Sequence, residues 1–512
     1  MGTNVDSRPC TESSGHTDRP LHHRNPVHRI WPAPRPDPWR AQAGSCRVAR
    51  QIVAELFGPP DERRFAVRYW TGEEELPRAF PALPVTLVFQ RSAALRRMLL
   101  PPTEARLAGA FLRDDFDIEG DVEAASALAG PLAERLRSPR RLLRLARLLA
   151  QLPRHAGVRD ESGADRHAPA ARASQLWRRL TTGLLHAPAR DAHAIKHHYD
   201  VGNDFYALWL DEHLAYSCAY FPVGDENLRE AQEAKFDLIC RKLRLLPGET
   251  LLDIGCGWGG LARYAASRYG VEVLGITLSE AQAAFANDRI ARDGLQNRCR
   301  VEVRDYRDLP SASMFDKVVS VGMFEHVGRS RLEAYFDAAW RHTRPGGLFL
   351  NHGIVSLDDA RSPRGEAAPP RRLWGKGRFM DRYVFPDGEL APLAAAIGAA
   401  EATGFETCDV ETLREHYVQT LRHWVQRLET RSHEARDLVG DVTYRIWRLY
   451  MAASAHAFAT GRIGLAQILL AKPDAAGRSC HPPTRADLYV ATGDVRDGAR
   501  VLWQGARRRD GA

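Results

Sequence analysis

The pattern of apolar and polar positions changes character twice along the chain. Between residues 250 and 351 short apolar runs recur at regular intervals, at 250–253, 271–276, 299–303, 315–321 and 348–351. Helix-like stretches such as 261–269 separate them. Runs this short read as buried strands, and strands alternating with helices predict an α/β fold. The expected form is a doubly wound, mostly parallel sheet whose ligands bind at the carboxyl ends of the strands. Upstream the pattern is mixed. Residues 65–69 and 85–89 read as strands, and 122–129 as a helix capped by Asp121 and stopped by Gly130-Pro131, which predicts a small α+β domain over 48–134.

Between the two lies the most basic stretch, 135–152. Arg137, Arg140, Arg141, Arg144 and Arg147 recur there at helical spacing beside a stripe of Leu142, Leu145, Leu149 and Leu152. Two readings stay open: a helix lying on an anionic membrane, or a domain-bridging helix with a solvated arginine face. A Pro-, Gly- and Ala-rich linker follows at about 153–172, so 135–189 is read as basic helix plus linker. Residues 1–47, with Pro32, Pro34, Pro36 and Pro38 in alternation, are expected to be disordered. The main domain is expected over 190–475, with a helical insertion at about 374–460 forming a lid or tunnel wall, and a tail over 476–512.

At 512 residues the chain is long enough for two cores, and 44% hydrophobic with 27% charged residues is the balance of a globular protein. Nothing approaches the length of a membrane span. A formal charge of +8 points to an anionic partner, which charge alone cannot choose between nucleic acid and acidic lipid. Basic residues interleaved with stacking aromatics in a recognisable module are missing, so nucleic acid is disfavoured. The eight cysteines are scattered without a CxxC pair, which argues for a reducing compartment and against a structural metal. The first residues lack the basic and apolar regions of an export signal, so a cytoplasmic location is expected.

The chemistry begins at Gly255-Cys-Gly-Trp-Gly-Gly260, directly after the first apolar run. Glycines at a strand-to-helix turn let the backbone approach a ligand, and the helix N-terminus favours a carboxylate or phosphate. A nicotinamide cofactor needs an acid after the second strand, where this chain has Gly275-Ile-Thr-Leu-Ser279.

The series LLDIGCGWGG, LGITLS and FDKVVS resembles class I S-adenosylmethionine-dependent methyltransferases, Rossmann-like in fold. Within them, HYDVGNDF (198–205), YSCAYF (216–221), GWGG (257–260), GITLS (275–279), MFEHVG (323–328) and His416-Tyr417 resemble the cyclopropane fatty acid synthases. The likeness runs on through YRIWRLY (444–450), GRIG (461–464) and LLAK (469–472), with a weaker match at FDIEGD (116–121).

The resemblance implies a donor site of Tyr216, Ser217, Gly255 and Gly257 at the methionine end, Thr277 and Gln282 toward the ribose and methionine, and Asp305 and Tyr306 at the adenine. Ser279 with Gln282 also has the spacing of a helix capping box, which explains both without a ligand. The implied reaction adds the sulfonium methyl to an isolated double bond, leaving a carbocation that aromatic faces tolerate and water would trap. Tyr199, Phe205, Tyr206, Tyr220, Phe221, Phe324 and Trp424 are available for that. Family members are expected to close the ring with a bound bicarbonate as base. The matching positions are Cys218, Glu325, His352, Ile354 and Tyr417, with Cys218 and Ile354 offering backbone N–H groups and Glu325 accepting the ion's proton.

The expected substrate is the cis double bond of an unsaturated phospholipid acyl chain. The expected setting is the inner face of an anionic membrane, with the protein peripherally bound as a homodimer. The rivals are a same-family enzyme giving a methyl-branched or methylene product, a small-molecule methyltransferase, and a non-catalytic lipid-binding protein.

Overall fold

The computed structural model describes residues 43–77, 84–153, 201–357, 379, 383–384, 389–479 and 481–489. These form two sheets. The smaller has four strands, β1 (Ala66–Arg68), β2 (Glu74–Glu75), β3 (Val85–Phe89) and β4 (Phe116–Gly120), in the order β2-β1-β3-β4. Its first helix, Ala43–Phe57, begins before the boundary expected at 47, because Cys46, Ala49, Ile52, Val53 and Leu56 form a helical apolar face buried in the core of this domain.

Two expectations about the following helices are corrected. Asp121 does cap a helix, accepting from the Ala124 N–H at 3.0 Å, but that helix is only Val122–Ser126. Gly130-Pro131 then falls inside the first turn of the next helix, Ala129–Arg135, where a missing N–H costs nothing because first-turn donors have no intrahelical acceptor. The basic stretch forms the helix Pro139–Ala150, capped by Ser138. Leu145, Leu149 and Leu152 are buried in the same cluster as Ile52 and Val53. Arg144 pairs with Glu55 at 2.8 Å, and Arg96 donates to the Leu152 carbonyl at 2.9 Å. This helix therefore belongs to the small domain, its apolar stripe facing inward and its arginines exposed. The linker expected at 153–172 lies, apart from its first residue, outside the described residues.

The larger sheet has seven strands: β5 (Thr250–Ile254), β6 (Glu272–Thr277), β7 (Cys299–Val303), β8 (Phe315–Val321), β9 (Thr343–Ser356), β10 (Glu406–Thr412) and β11 (Ile463–Ala471). The order is β10-β11-β9-β8-β5-β6-β7, with β9-β8-β5-β6-β7 parallel and β11 antiparallel to both its neighbours. The first five strands fall where the apolar runs predict them, although the fifth is much longer than 348–351. The helical insertion differs from expectation. β10 interrupts the span 374–460, and the helix Arg414–Thr430 and the helical stretch Ser432–Ala459, kinked at a non-helical Gly440, join β10 to β11. The sequence of β10, Glu-Thr-Cys-Asp-Val-Glu-Thr, is polar because it is an edge strand, where charge is tolerated and guards against further pairing.

Two buried arginines on Ser432–Ala459 fasten this helix to the small domain. Arg445 donates to the Phe111 carbonyl at 3.0 Å and pairs with Asp114 and Asp117. Arg448 donates to the Ile118 carbonyl at 3.0 Å and pairs with Glu429 at 2.6 Å. The opposite face of the helix carries Trp447 and Tyr450 into an aromatic cluster with Tyr206, Trp209, Tyr216 and Trp424. The start of the expected tail also packs onto the domain: Arg244 pairs with Asp487 at 2.8 Å. No helix among the described residues is long and apolar enough to cross a membrane.

Candidate functional site

β5 ends at Ile254 and the chain turns through Gly255, Gly257 and Gly259, all at positive φ (77°, 55° and 76°), into the helix Gly260–Tyr269. A side chain on any of them would strain the turn. The Gly255 and Cys256 N–H groups both donate to the Ile276 carbonyl, at 2.9 and 3.0 Å, which ties the turn to the end of β6. A cleft opens over the ends of β5, β6 and β7, and six of the eight expected donor residues line it: Gly255, Gly257, Thr277, Gln282, Asp305 and Tyr306.

Within that lining, the Thr277 hydroxyl donates to Gln282 Oε1 at 2.7 Å, and the Ser279 hydroxyl caps the next helix by accepting from the Gln282 N–H at 3.3 Å. Gln282 thus takes part in half of a capping box, while its side chain turns to Thr277. The Asp305 carboxylate is held by the Arg307 guanidinium, at 2.9 and 2.6 Å, and by the Arg307 N–H at 2.9 Å. Tyr306 packs edge-on against Tyr335.

Tyr216 and Ser217 do not line this cleft. The Tyr216 hydroxyl lies 3.2 Å from that of Tyr450 within the aromatic cluster, and Ser217 Oγ accepts from the buried Lys235 ammonium at 2.9 Å. Lys235 was not singled out in the sequence. Its apolar surroundings push its pKa down to about 8, with Asp211, Cys218 and Asp253 opposing the fall.

Three of the expected anion-site residues, Glu325, His352 and Ile354, lie together beside the end of β8. The register sets Val321, the last residue of β8, beside His352, and the Gly322 N–H makes the final ladder bond to the His352 carbonyl at 2.9 Å. β9 continues past this point, so its next inward N–H, that of Ile354, needs an acceptor. Glu325, on the turn Phe324–His326, supplies it: Oε1 accepts from Ile354 N–H at 2.8 Å. The Ile354 N–H, expected to face the anion, donates to Glu325 in this structure.

Glu325 Oε2 is buried with no hydrogen-bond partner among the described residues, and so is His352 Nε2. Burial pushes the Glu325 pKa up to about 7. Burial also drives that of His352 well below the ordinary imidazole value, with Lys235 and Lys242 adding to the fall, so the ring is neutral. Each of these buried atoms has hydrogen-bonding capacity that the protein leaves open, Oε2 as an acceptor and Nε2 as a ring nitrogen.

Cys218 is fully buried; its Sγ contacts the Ala219 carbonyl at 3.1 Å, and burial raises its pKa, so it is a thiol. Its segment is pinned to the helix Arg414–Thr430 by the Ala219 N–H, which donates to Thr420 Oγ1 at 3.0 Å. Tyr417, on the same helix, packs against Phe458 and Trp424. Burial raises the pKa of Tyr216, with Tyr450, Tyr206 and Tyr417 adding to it. Burial likewise raises Tyr450, to about 12, with Glu325 adding.

Of the candidate aromatics, Tyr206 and Trp424 lie in the cluster and Phe205 packs against it. Tyr220 and Phe221 pack on His416. Phe324 belongs instead to the core on the other side of the sheet, with Tyr335 and Phe336. Tyr199, with the first part of its motif, is outside the described residues. Trp258 packs on Tyr206 and donates to Asn203 Oδ1 at 2.8 Å. The sequence reading also passed over Gln467, directly opposite His352 on β11. A lone amide inside the run Leu-Ala-Gln-Ile-Leu-Leu is the signal that could have found it.

A mostly parallel seven-stranded sheet with a glycine turn after the middle one of its five parallel strands and a cleft over the carboxyl ends defines a class I S-adenosylmethionine-dependent methyltransferase. Residues 186–468 match the mycolic acid cyclopropane synthetase family, and the chain belongs to it. It is 42% identical over 409 residues to a probable fatty acid methyltransferase of Pseudomonas putida, covering 80% of this chain and 92% of that one. It is 38% identical over 277 residues to the cyclopropane-fatty-acyl-phospholipid synthase of Escherichia coli strain K12, covering 54% and 67%. Among solved structures, the cyclopropane synthase from Mycobacterium tuberculosis superposes with a TM-score of 0.51 at 34% identity, covering 55% of this chain and 98% of that one. A mycolic acid cyclopropane synthase complexed with SAH and CTAB matches with the same TM-score and identity, covering 55% and 97%.

Proposed function

We propose that the protein adds a methylene group from S-adenosylmethionine to the cis double bond of an unsaturated phospholipid acyl chain and closes a cyclopropane ring. The observation that carries this reading is the pair of unpartnered buried atoms, Glu325 Oε2 and His352 Nε2, on segments that meet the aromatic core at Ile354 and the glycine turn at Met323. A methyltransferase acting on a heteroatom has no need of a dry base site next to aromatic faces; ring closure through a carbocation needs both.

When bound, the donor supplies the sulfonium methyl and bicarbonate supplies the base. Gly255, Gly257, Thr277, Gln282, Asp305 and Tyr306 are assigned to the donor, with Tyr216 and Ser217 at its methionine end. His352 Nε2 and Glu325 Oε2 hold and orient the anion, and Cys218 and Tyr417 close its surroundings. Tyr206, Tyr216, Trp424 and Trp447 exclude water and face positive charge developing on the acyl chain. The exposed arginines of Pro139–Ala150 meet an anionic lipid surface by charge alone, since the leucine stripe is already buried. A homodimer at the membrane face completes the proposal.

The similarity to a probable fatty acid methyltransferase favours a second reading, in which the cation loses a different proton and the product is methyl-branched or methylene-bearing. Purified protein, vesicles of unsaturated phospholipid and isotopically labelled methyl donor distinguish the two. Cyclopropane protons in the product, formed only when bicarbonate is present, support the first reading. A branched chain of the same mass supports the second, and label transfer unaffected by bicarbonate removal rejects the anion site.

A further inference from the structure

β9 and β11 run antiparallel, and their register sets His352 directly across from Gln467. Both are 1% exposed. Gln467 is the one polar residue in a strand otherwise made of apolar residues and glycine, and a buried amide there calls for a reason beyond filling space. Its Nε2 lies 3.2 Å from His352 Nδ1. An amide nitrogen only donates, so Nδ1 is the acceptor at this contact. A neutral imidazole carries one N–H, which must then sit on Nε2, the atom that is buried without a partner among the described residues.

We propose that Gln467 is a positioning residue that holds His352 in the Nε2–H tautomer, so that the ring presents a hydrogen-bond donor to the buried anion. This rests on the anion site described above. Glu325 Oε2 is the complementary acceptor, so the two side chains match the two kinds of oxygen of a hydrogencarbonate ion: the charged oxygens take the imidazole N–H, and the hydroxyl donates to the carboxylate. The opposite tautomer would place two acceptors against the anion. Coupling of ring orientation to a partner on the far nitrogen is the way ligating histidines are usually fixed. The amide's two ends are alike in shape, and turned end for end it would accept from Nδ1–H and reverse the assignment, which gives the proposal a definite way to fail.

The test uses the full chain with isotopically labelled histidines and long-range proton–nitrogen correlation spectra, His352 being assigned by its loss in His352→Gln. The expected spectrum has the proton on Nε2. Gln467→Leu, which keeps the volume, should abolish that preference and raise the apparent KM for bicarbonate by roughly tenfold or more. Affinity for S-adenosylhomocysteine by calorimetry should stay within about twofold, because the donor cleft is untouched. Gln467→Glu, which demands a proton on Nδ1, should invert the tautomer and damage bicarbonate use further than leucine does. A wild-type proton on Nδ1, or a tautomer indifferent to both substitutions, overturns the proposal. A tautomer that responds as expected in an enzyme indifferent to bicarbonate rejects the anion site itself and keeps only the grip of Gln467 on the ring.

Discussion

Replacing Glu325 by glutamine should make the protein more stable and much less active, and the gain in stability should grow with pH. The side chain is buried; Oε1 accepts from the Ile354 N–H at 2.8 Å, and Oε2 has no partner among the described residues. Glutamine keeps the Oε1 bond and the shape while removing the charge. The carboxyl has an ordinary value of 4.5 and a folded value of about 7, because burial penalises the anion. A folded pKa above the unfolded one means that the native state binds the proton more tightly. The contribution is therefore complete below about pH 4.5 and is lost as pH rises toward about 7. At ~1.4 kcal/mol per pH unit of separation, keeping Glu325 ionised costs the native wild type about 3 kcal/mol. Glutamine does not bear that cost. Urea unfolding at a series of pH values should find Glu325→Gln about 3 kcal/mol more stable at pH 8 and under ~1 kcal/mol more stable at pH 5. Turnover should fall by roughly a hundredfold or more, the range expected on losing an acid–base partner, with S-adenosylhomocysteine affinity within about twofold. A stability difference independent of pH, or a variant less stable at pH 8, would refute the picture of a desolvated carboxylate waiting for an ion.

Other substitutions probe separate parts of the structure. Gln282→Ala removes the acceptor of the Thr277 hydroxyl in the donor cleft and should weaken S-adenosylhomocysteine binding by about tenfold in calorimetry; unchanged affinity would remove Gln282 from the donor site. Asp117→Ala leaves Arg445 and Arg448 short of a buried counter-charge and should cost ~3–5 kcal/mol in chemical unfolding, whereas a loss under ~1 kcal/mol would show that these arginines are satisfied without it. Gly353→Ala would bring a methyl group to 2.9 Å from Phe324, the neighbour of Glu325, so stability should fall by ~1–3 kcal/mol and turnover with it. Gly398→Ala is the control: within the helix Leu393–Ala402, with nothing inside 4 Å of the added carbon, it should stabilise by ~0.5–1 kcal/mol and leave turnover alone.

The parallel part of the large sheet was legible because its strands contain short apolar runs, several of them ending at glycine, as at Leu251-Leu-Asp-Ile-Gly255. β10 was not, since an edge strand can be nearly all polar and Glu406–Thr412 carries no period-two apolar signal. Gly130-Pro131 misled for a local reason: the same dipeptide that stops one helix is tolerated in the first turn of another. Gly255, Gly257, Thr277, Gln282, Asp305 and Tyr306 share one cleft because their motifs lie next to their strands, whereas Tyr216 and Ser217 lie outside it because their segment precedes the sheet. The commitment of the Ile354 N–H to Glu325 could not be read from sequence, because it depends on β8 stopping while β9 runs on. Gln467 and His352 are likewise paired by strands 115 positions apart, although the amide's isolation among apolar neighbours marked it.

The reaction proposed for the protein closes a ring on a lipid double bond. It is tested most directly by expressing the chain in bacteria that lack their own enzyme of this kind and analysing the extracted phospholipids by mass spectrometry and proton resonance. Acyl chains should be one methylene heavier, with the olefinic protons gone and ring protons in their place, and neither change should occur in cells carrying Glu325→Gln. Lipids left unchanged by a protein that binds S-adenosylhomocysteine, or heavier chains bearing a methyl branch, would contradict it.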